Sequence, residues 1–218
     1  MNKPSQAKIL RILPLLILGL GFALRMVMLG RSELWLDETH SIYIAGNAIS
    51  DIIGNLKTDG HPPLYFLLIL LWKNIFGDSA LSMRLLSALF GFGSLGLIYW
   101  LAHLLFHRRV ALASLFLAAI APLHVYYSRE ARMYILVSFF AVLSAAFLWL
   151  AATRNSRCFW AAYVLSGIAL VYTHVFGWFV LLAGACYLLF QNDRRLLGRL
   201  ILSQGIIMLA FIPWVPLV

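Results

Sequence analysis

Residues 61–76, HPPLYFLLILLWKNIF, decide how the rest of the chain is threaded. The run is apolar, yet it falls short of the ~20 residues that cross a bilayer, opens on Pro62-Pro63 and carries Lys73 near its end. Around it, the apolar runs 9–29, 81–106, 110–127, 133–152, 158–174, 176–190 and 200–218 read as membrane spans. Between them sit four basic clusters, Lys3/Lys8/Arg11, His107-Arg108-Arg109, Arg154/Arg157 and Arg194/Arg195/Arg199. The positive-inside tendency puts such clusters on the cytoplasmic face. If 61–76 crossed, three crossings would separate the first two clusters and one of them would face outward. If it does not cross, all four share a side. The pattern therefore predicts an interfacial or partly embedded helix at 61–76 within one long outer loop, 30–80. It also predicts about seven transmembrane helices with the N-terminus cytoplasmic.

With a hydrophobic fraction of 63%, a charged fraction of 11% and a mean hydropathy of +0.90, the chain is too apolar for a soluble domain. It reads as an all-α polytopic membrane protein forming a single module, 1–218, without repeats, low-complexity tracts or a soluble domain. The net charge of +9 follows from the cytoplasmic clusters and not from nucleic-acid binding. Cys158 and Cys186 lie in apolar runs without metal-ligand spacing and read as packing residues. The first apolar run continues past Arg25 to Leu29 without an Ala-x-Ala site, so it reads as an uncleaved span and not as a signal peptide.

On this threading the acidic residues fall on one face. Glu33, Asp37, Glu38, Asp51, Asp59 and Asp78 occupy the first outer loop, and Glu130 occupies the second outer turn, 128–132. Asp37 and Glu38 suit an ordinary role, N-cap and first-turn acid of a helix over Thr39–Ala48, and also a chemical one: a carboxylate that takes a proton from an acceptor hydroxyl or helps hold a metal. His61, in the rigid Asp59-Gly60-His61-Pro62-Pro63 corner, either stiffens the membrane entry or donates to a phosphate or orients Asp37. Arg129 and Arg132 either close a turn with Glu130 or clamp a phosphate between them while Glu130 stands opposite Asp37. Tyr134, which adjoins that turn, is a further candidate for binding the phosphate. Arg84, at the outer start of the second span, and Lys57, in the first loop, are additional candidates. His103, His107, His124 and His174 share no ligand spacing and read as interfacial or packing residues. Gly91, Gly93 and Gly96 read as close helix packing.

Taken in order, Trp35-Leu36-Asp37-Glu38, Asp59-Gly60-His61-Pro62-Pro63-Leu64-Tyr65, Phe76-Gly77-Asp78-Ser79-Ala80-Leu81-Ser82-Met83-Arg84 and Tyr127-Ser128-Arg129-Glu130-Ala131-Arg132-Met133-Tyr134 resemble the GT-C glycosyltransferases. Within them the pattern is similar to the bacterial family 39-like group, related to protein O-mannosyltransferases and lipid A aminoarabinose transferases. The resemblance spans about residues 9–190. It implies a polyprenyl-phosphate-linked sugar donor, an acceptor glycan, lipid or protein, contact with membrane lipids, and transfer on the outer face of the plasma (inner) membrane. It further implies that Asp37, with Glu38 beside it, serves the acceptor, and that Glu130, Arg129 and Arg132 face the donor phosphate. The leaving phosphate needs stabilisation by guanidinium groups or a divalent metal ion, for which Asp37 and Glu130 would be the ligands, and a single displacement with inversion follows. Relatives in this group carry further spans, so the chain corresponds to their N-terminal module: a fragment, a short member or half of a split enzyme. The alternative reading is a non-catalytic component that binds or carries a lipid-linked sugar. Against a transporter, no span holds a central unpaired acid and no inverted halves are visible.

Overall fold

The computed structural model describes residues 3–191 and 193–217, with side chains for 12–191 and 193–216. Among them are eleven α-helices, one short 3₁₀ segment at Ile212–Leu217, and no strand. The side chains of Lys3, Lys8 and Arg11, and Val218 as the end of the last expected span, lie outside the described residues.

Helices stand at all seven positions read as spans. They are α1 (Lys3–Met26), α5 (Ala80–Leu105), the pair α6 (Arg108–Ile120) and α7 (Pro122–Ser128), α8 (Tyr134–Arg154), α9 (Arg157–Thr173), α10 (Gly177–Leu189) and α11 (Arg194–Phe211). Three stretches, Ala80–Leu105, Tyr134–Arg154 and Arg194–Pro216, are long and apolar enough to cross a membrane. The α6–α7 pair makes a fourth, broken rather than continuous as 110–127 suggests, with a bend of 60°. Pro122 causes the break, because it has no N–H to give and its ring crowds the carbonyl four residues back. Ile12–Met26, Arg157–Thr173 and Gly177–Leu189 are apolar but shorter. Large side chains point outward along these helices, among them Leu15, Leu117, Leu165, Phe179 and Leu202. That apolar exterior suits lipid and not water, and the chain is a membrane protein.

Residues 36–76 form three further helices: α2 (Leu36–Ala45), α3 (Ile49–Asp59) and α4 (Leu64–Phe76). Gly60 ends α3 in the left-handed region, at φ 73°, and turns the chain into Pro62-Pro63. Those prolines start α4, where the Pro63 carbonyl accepts from Leu67 N–H at 2.9 Å. With 13 residues α4 is about 20 Å long, short of a hydrocarbon core of about 30 Å. It buries Tyr65, Phe66, Ile69 and Leu70 against the bundle and leaves Leu71, Ile75 and Phe76 outside. At its far end Lys73 donates to the Gly46 carbonyl and to Asn47 Oδ1. α4 is thus a short apolar helix packed on the bundle, 13 residues long like α10.

The bundle is tied mainly through α8, which packs on α5 and α9, with α6 and α1 against α5 and with α11 against α9. The 3₁₀ segment meets α3, and the His174 ring lies 5.7 Å from the His61 ring. The 30–80 segment, the 128–132 turn, the His174 turn and the last described residues therefore gather at one end. Of the basic clusters, Arg199 reaches the Asn155 side chain and carbonyl at the other.

The three glycines of α5 behave differently. A Cβ on Gly91 would fall 2.1 Å from Ser128 Oγ, one on Gly93 would fall 3.1 Å from Phe139, and one on Gly96 would meet nothing within 4 Å. Gly96 is therefore not a packing glycine. Gly91→Ala is expected to destabilise the detergent-solubilised protein by about 1–3 kcal/mol, and Gly96→Ala to leave its melting temperature unchanged or higher.

Candidate active site

At the polar end, Glu38 and Arg84 hold four chain segments together. Glu38 is fully buried and Arg84 is 6% exposed. The guanidinium donates to the carboxylate through Nε at 2.8 Å and Nη2 at 2.6 Å, a bidentate pair. Glu38 also accepts from Ala131 N–H at 2.9 Å and from Trp35 N–H at 3.2 Å. Arg84 spends its remaining donors on the carbonyls of Leu29 at 3.1 Å, Ser32 at 2.8 Å and Glu33 at 3.0 Å. One ion pair thus fixes the exit of α1, the start of α2, the second turn of α5 and the 129–133 turn. Burial pushes the Glu38 carboxyl up, but the hydrogen bonds from Arg84, Ala131 and Trp35 outweigh it and hold it below the usual range. Because α2 begins at Leu36, the helix is capped differently from the expectation: Asp37 lies inside the first turn, and Glu38 reaches back to the free Trp35 N–H.

Above this pair lies a cavity of about 470 Å³, lined by Ser32, Glu33, Trp35, Tyr126, Arg129 and Glu130. Among the described residues the half-buried Arg129 guanidinium has no hydrogen-bond partner, and its Nε is enclosed without an acceptor. Glu130 is buried; that burial, with the nearby charges of Glu38 and Asp37, raises its carboxyl against the opposing pull of Tyr126 and Arg132. Asp37 is half-buried on α2 and is not among the residues that line the cavity, although its charge reaches Glu130. Its backbone carbonyl accepts from Arg132 at 3.1 Å and from Ser41 Oγ at 3.0 Å, whereas its carboxylate has no hydrogen-bond partner among the described residues.

The two arginines of the turn are parted. Arg129 lines the cavity, whereas Arg132 turns to the Asp37 carbonyl and to Ser41 Oγ at 3.3 Å, with its guanidinium 5.7 Å from the Tyr134 ring centre. Tyr134 in turn sits 6.4 Å from the His174 ring. His61 belongs to a second polar group: Asp59 binds His61 Nδ1 at 2.7 Å with one oxygen and His40 Nε2 at 2.8 Å with the other. Burial raises the Asp59 carboxyl, and the two imidazoles more than offset that and hold it low. Lys57 is exposed on α3, outside the cavity. Among the described residues no group of three or more His, Cys, Asp or Glu side chains is arranged to hold a metal ion, Asp37 and Glu130 included. Ser32, Glu33, Tyr126, Asp59, His40 and His174 were not singled out as site residues. Asp59 had a visible signal in its spacing of two from His61, while the others are brought in only by helix packing.

The sequence model of the dolichyl-phosphate-mannose-protein mannosyltransferases matches residues 60–218, well over half the chain, and the chain belongs to that family. The match takes in His61, Arg84 and the 129–134 turn, and begins after Asp37 and Glu38. No curated protein matches the sequence.

Removing one partner of a buried ion pair leaves the other charge stranded, at a cost of about 3–5 kcal/mol. Arg84→Met is expected to lower stability in detergent by that amount, and Glu38→Met/Arg84→Met to recover part of it. Glu38 is lowered from 4.5, so its contribution is complete above that pH and is lost as pH falls through the lower folded value. Melting curves between about pH 6 and pH 3 are expected to show a steeper acid limb for the parent than for Glu38→Gln.

Proposed function

We propose that this protein is an inverting glycosyltransferase that moves a sugar from a polyprenyl-phosphate donor to an acceptor hydroxyl on a glycan, lipid or protein at the outer face of the membrane. The observation that carries the reading is that, among the described residues, the Arg129 guanidinium in the cavity and the Asp37 carboxylate on α2 have no hydrogen-bond partner, on two segments that the buried Glu38 ties together through Ala131 N–H. A lipid phosphate and a hydroxyl nucleophile need those two groups.

In this scheme the acceptor oxygen attacks the anomeric carbon as the carbon–phosphate oxygen bond breaks. Asp37 takes the hydroxyl proton, and the phosphate leaves with the bonding pair, steadied by Arg129. Because the leaving group is already a weak base, no acid is required. Glu130 stands on the donor side beside Arg129, where burial and the charges of Glu38 and Asp37 push its carboxyl above the usual range. Glu38 has four hydrogen bonds on its two oxygens and therefore acts by fixing the turn that presents Asp37. Arg199, which meets Asn155 at the opposite end of the bundle, supports placing this cleft outside.

Purified protein supplied with radiolabelled polyprenyl-phosphate sugars is expected to transfer label. Asp37→Asn is expected to cut the rate by about 10²–10⁴, the usual contribution of a general base, without changing the amount of folded protein. Arg129→Ala is expected to raise KM for the lipid donor more than it lowers kcat. An unchanged rate in Asp37→Asn would remove the base assignment, and a competent sugar ester trapped on Asp37 would remove inversion.

A further inference from the structure

A second polar knot lies deeper in the bundle and takes no part in that chemistry. Arg25, in the last turn of α1, is fully buried, yet no carboxylate pairs with it among the described residues. A guanidinium placed among apolar spans is costly and is retained where it has a task. Its donors go to the carbonyls of Gly21 at 2.6 Å, Ala119 at 3.3 Å and Ala118 at 3.5 Å, and to His124 Nδ1 at 2.7 Å. Ala118 and Ala119 are the carbonyls orphaned where α6 stops: Pro122 has no N–H for the first, and the 60° bend carries Leu123 away from the second. Arg25 supplies the donors that the broken helix has lost.

The imidazole continues the connection. A guanidinium only donates, so His124 Nδ1 is bare and the ring proton sits on Nε2. That proton goes to Ser94 Oγ at 2.8 Å, and Ser94 donates onward to the Gly91 carbonyl at 2.8 Å. Ser128 Oγ donates to the His124 carbonyl at 2.5 Å and closes against Gly91. Three helices, α1, α5 and α7, are thereby locked at one point. Just beyond it, Met28 and Leu29, which follow α1, and Tyr126 and Arg129, at the end of α7, line the 470 Å³ cavity.

We propose that Arg25 and His124 are a positioning pair: the guanidinium that caps the broken α6 and the imidazole that receives it set the width of the cavity and the place of Arg129. The pair touches no substrate and acts through the direction of α7. Its effect on transfer rests on the glycosyltransferase reading above, while its effect on cavity width does not.

The test uses spin labels on Met28→Cys and Tyr126→Cys in a chain with Cys158→Ser and Cys186→Ser. The distance between labels is measured by pulsed electron resonance, and donor kcat/KM is measured in the unlabelled variants. A narrow distance distribution is expected for the parent. His124→Phe, which cannot accept from Arg25, and Arg25→Lys, whose single ammonium cannot cover both carbonyls and the imidazole, are expected to shift or broaden it. They are also expected to lose about 100-fold in kcat/KM, the effect of misplacing a group by about 1 Å. His124→Asn, which restores an acceptor at the Nδ1 position, is expected to recover the parent distance and most of the rate. An unchanged distance in either folded His124→Phe or folded Arg25→Lys overturns the proposal, as does a His124→Asn no better than His124→Phe. If the parent transfers no sugar, the transferase reading fails, and the label distances alone decide this one.

Discussion

The bidentate ion pair between Glu38 and Arg84 is the constraint on which the polar end is built. Both groups are removed from water, so their desolvation is offset only while every donor and acceptor is matched. The matching partners are main-chain groups from residues 29–35 and from Ala131, segments far apart in sequence. A pair satisfied in this way cannot shift without stranding charge, and the cavity walls on either side of it share that rigidity. Arg129 and Asp37, whose side chains have no hydrogen-bond partner among the described residues, stand on a frame fixed by groups that are themselves unavailable for chemistry.

The bundle beneath is held by a different compromise. A continuous α6–α7 helix would satisfy its own backbone but would carry the 129–132 turn in another direction. Pro122 breaks it, and the orphaned carbonyls are met from α1 instead of from water, which the apolar surroundings exclude. Close approach makes the exchange workable: Gly91 admits Ser128, and Gly21 admits Leu95, where a Cβ would sit 2.5 Å from its Cδ1. The polar atoms buried here and at the clamp occupy two points on one path from the bundle core to the cavity.

Much of this was legible in the residues. The clustering of acids and the arginine-bearing turn pointed to one polar end of a helical bundle, since charge and hydropathy are written directly in the chain. Roles within the site were not legible. Arg129 and Arg132 are three apart and look equivalent, yet one lines the cavity and the other is spent on α2. Glu38 looks like a second reacting acid beside Asp37, yet its lone pairs are filled. Arg25 passed as an interruption in an apolar run, and His124 as a packing residue, because each depends on the other across 99 positions.

By itself the sequence determined what local patterning can encode: helices of given length and polarity, the prolines that begin α4 and break α6, and the gathering of acids in the first segment. Tertiary structure alone decided which polar groups are consumed and which are left over. Hydrogen-bond saturation is a property of the packed ensemble of helices. A carboxylate becomes a clamp or a free base according to which distant N–H groups reach it, and no spacing along the chain records that.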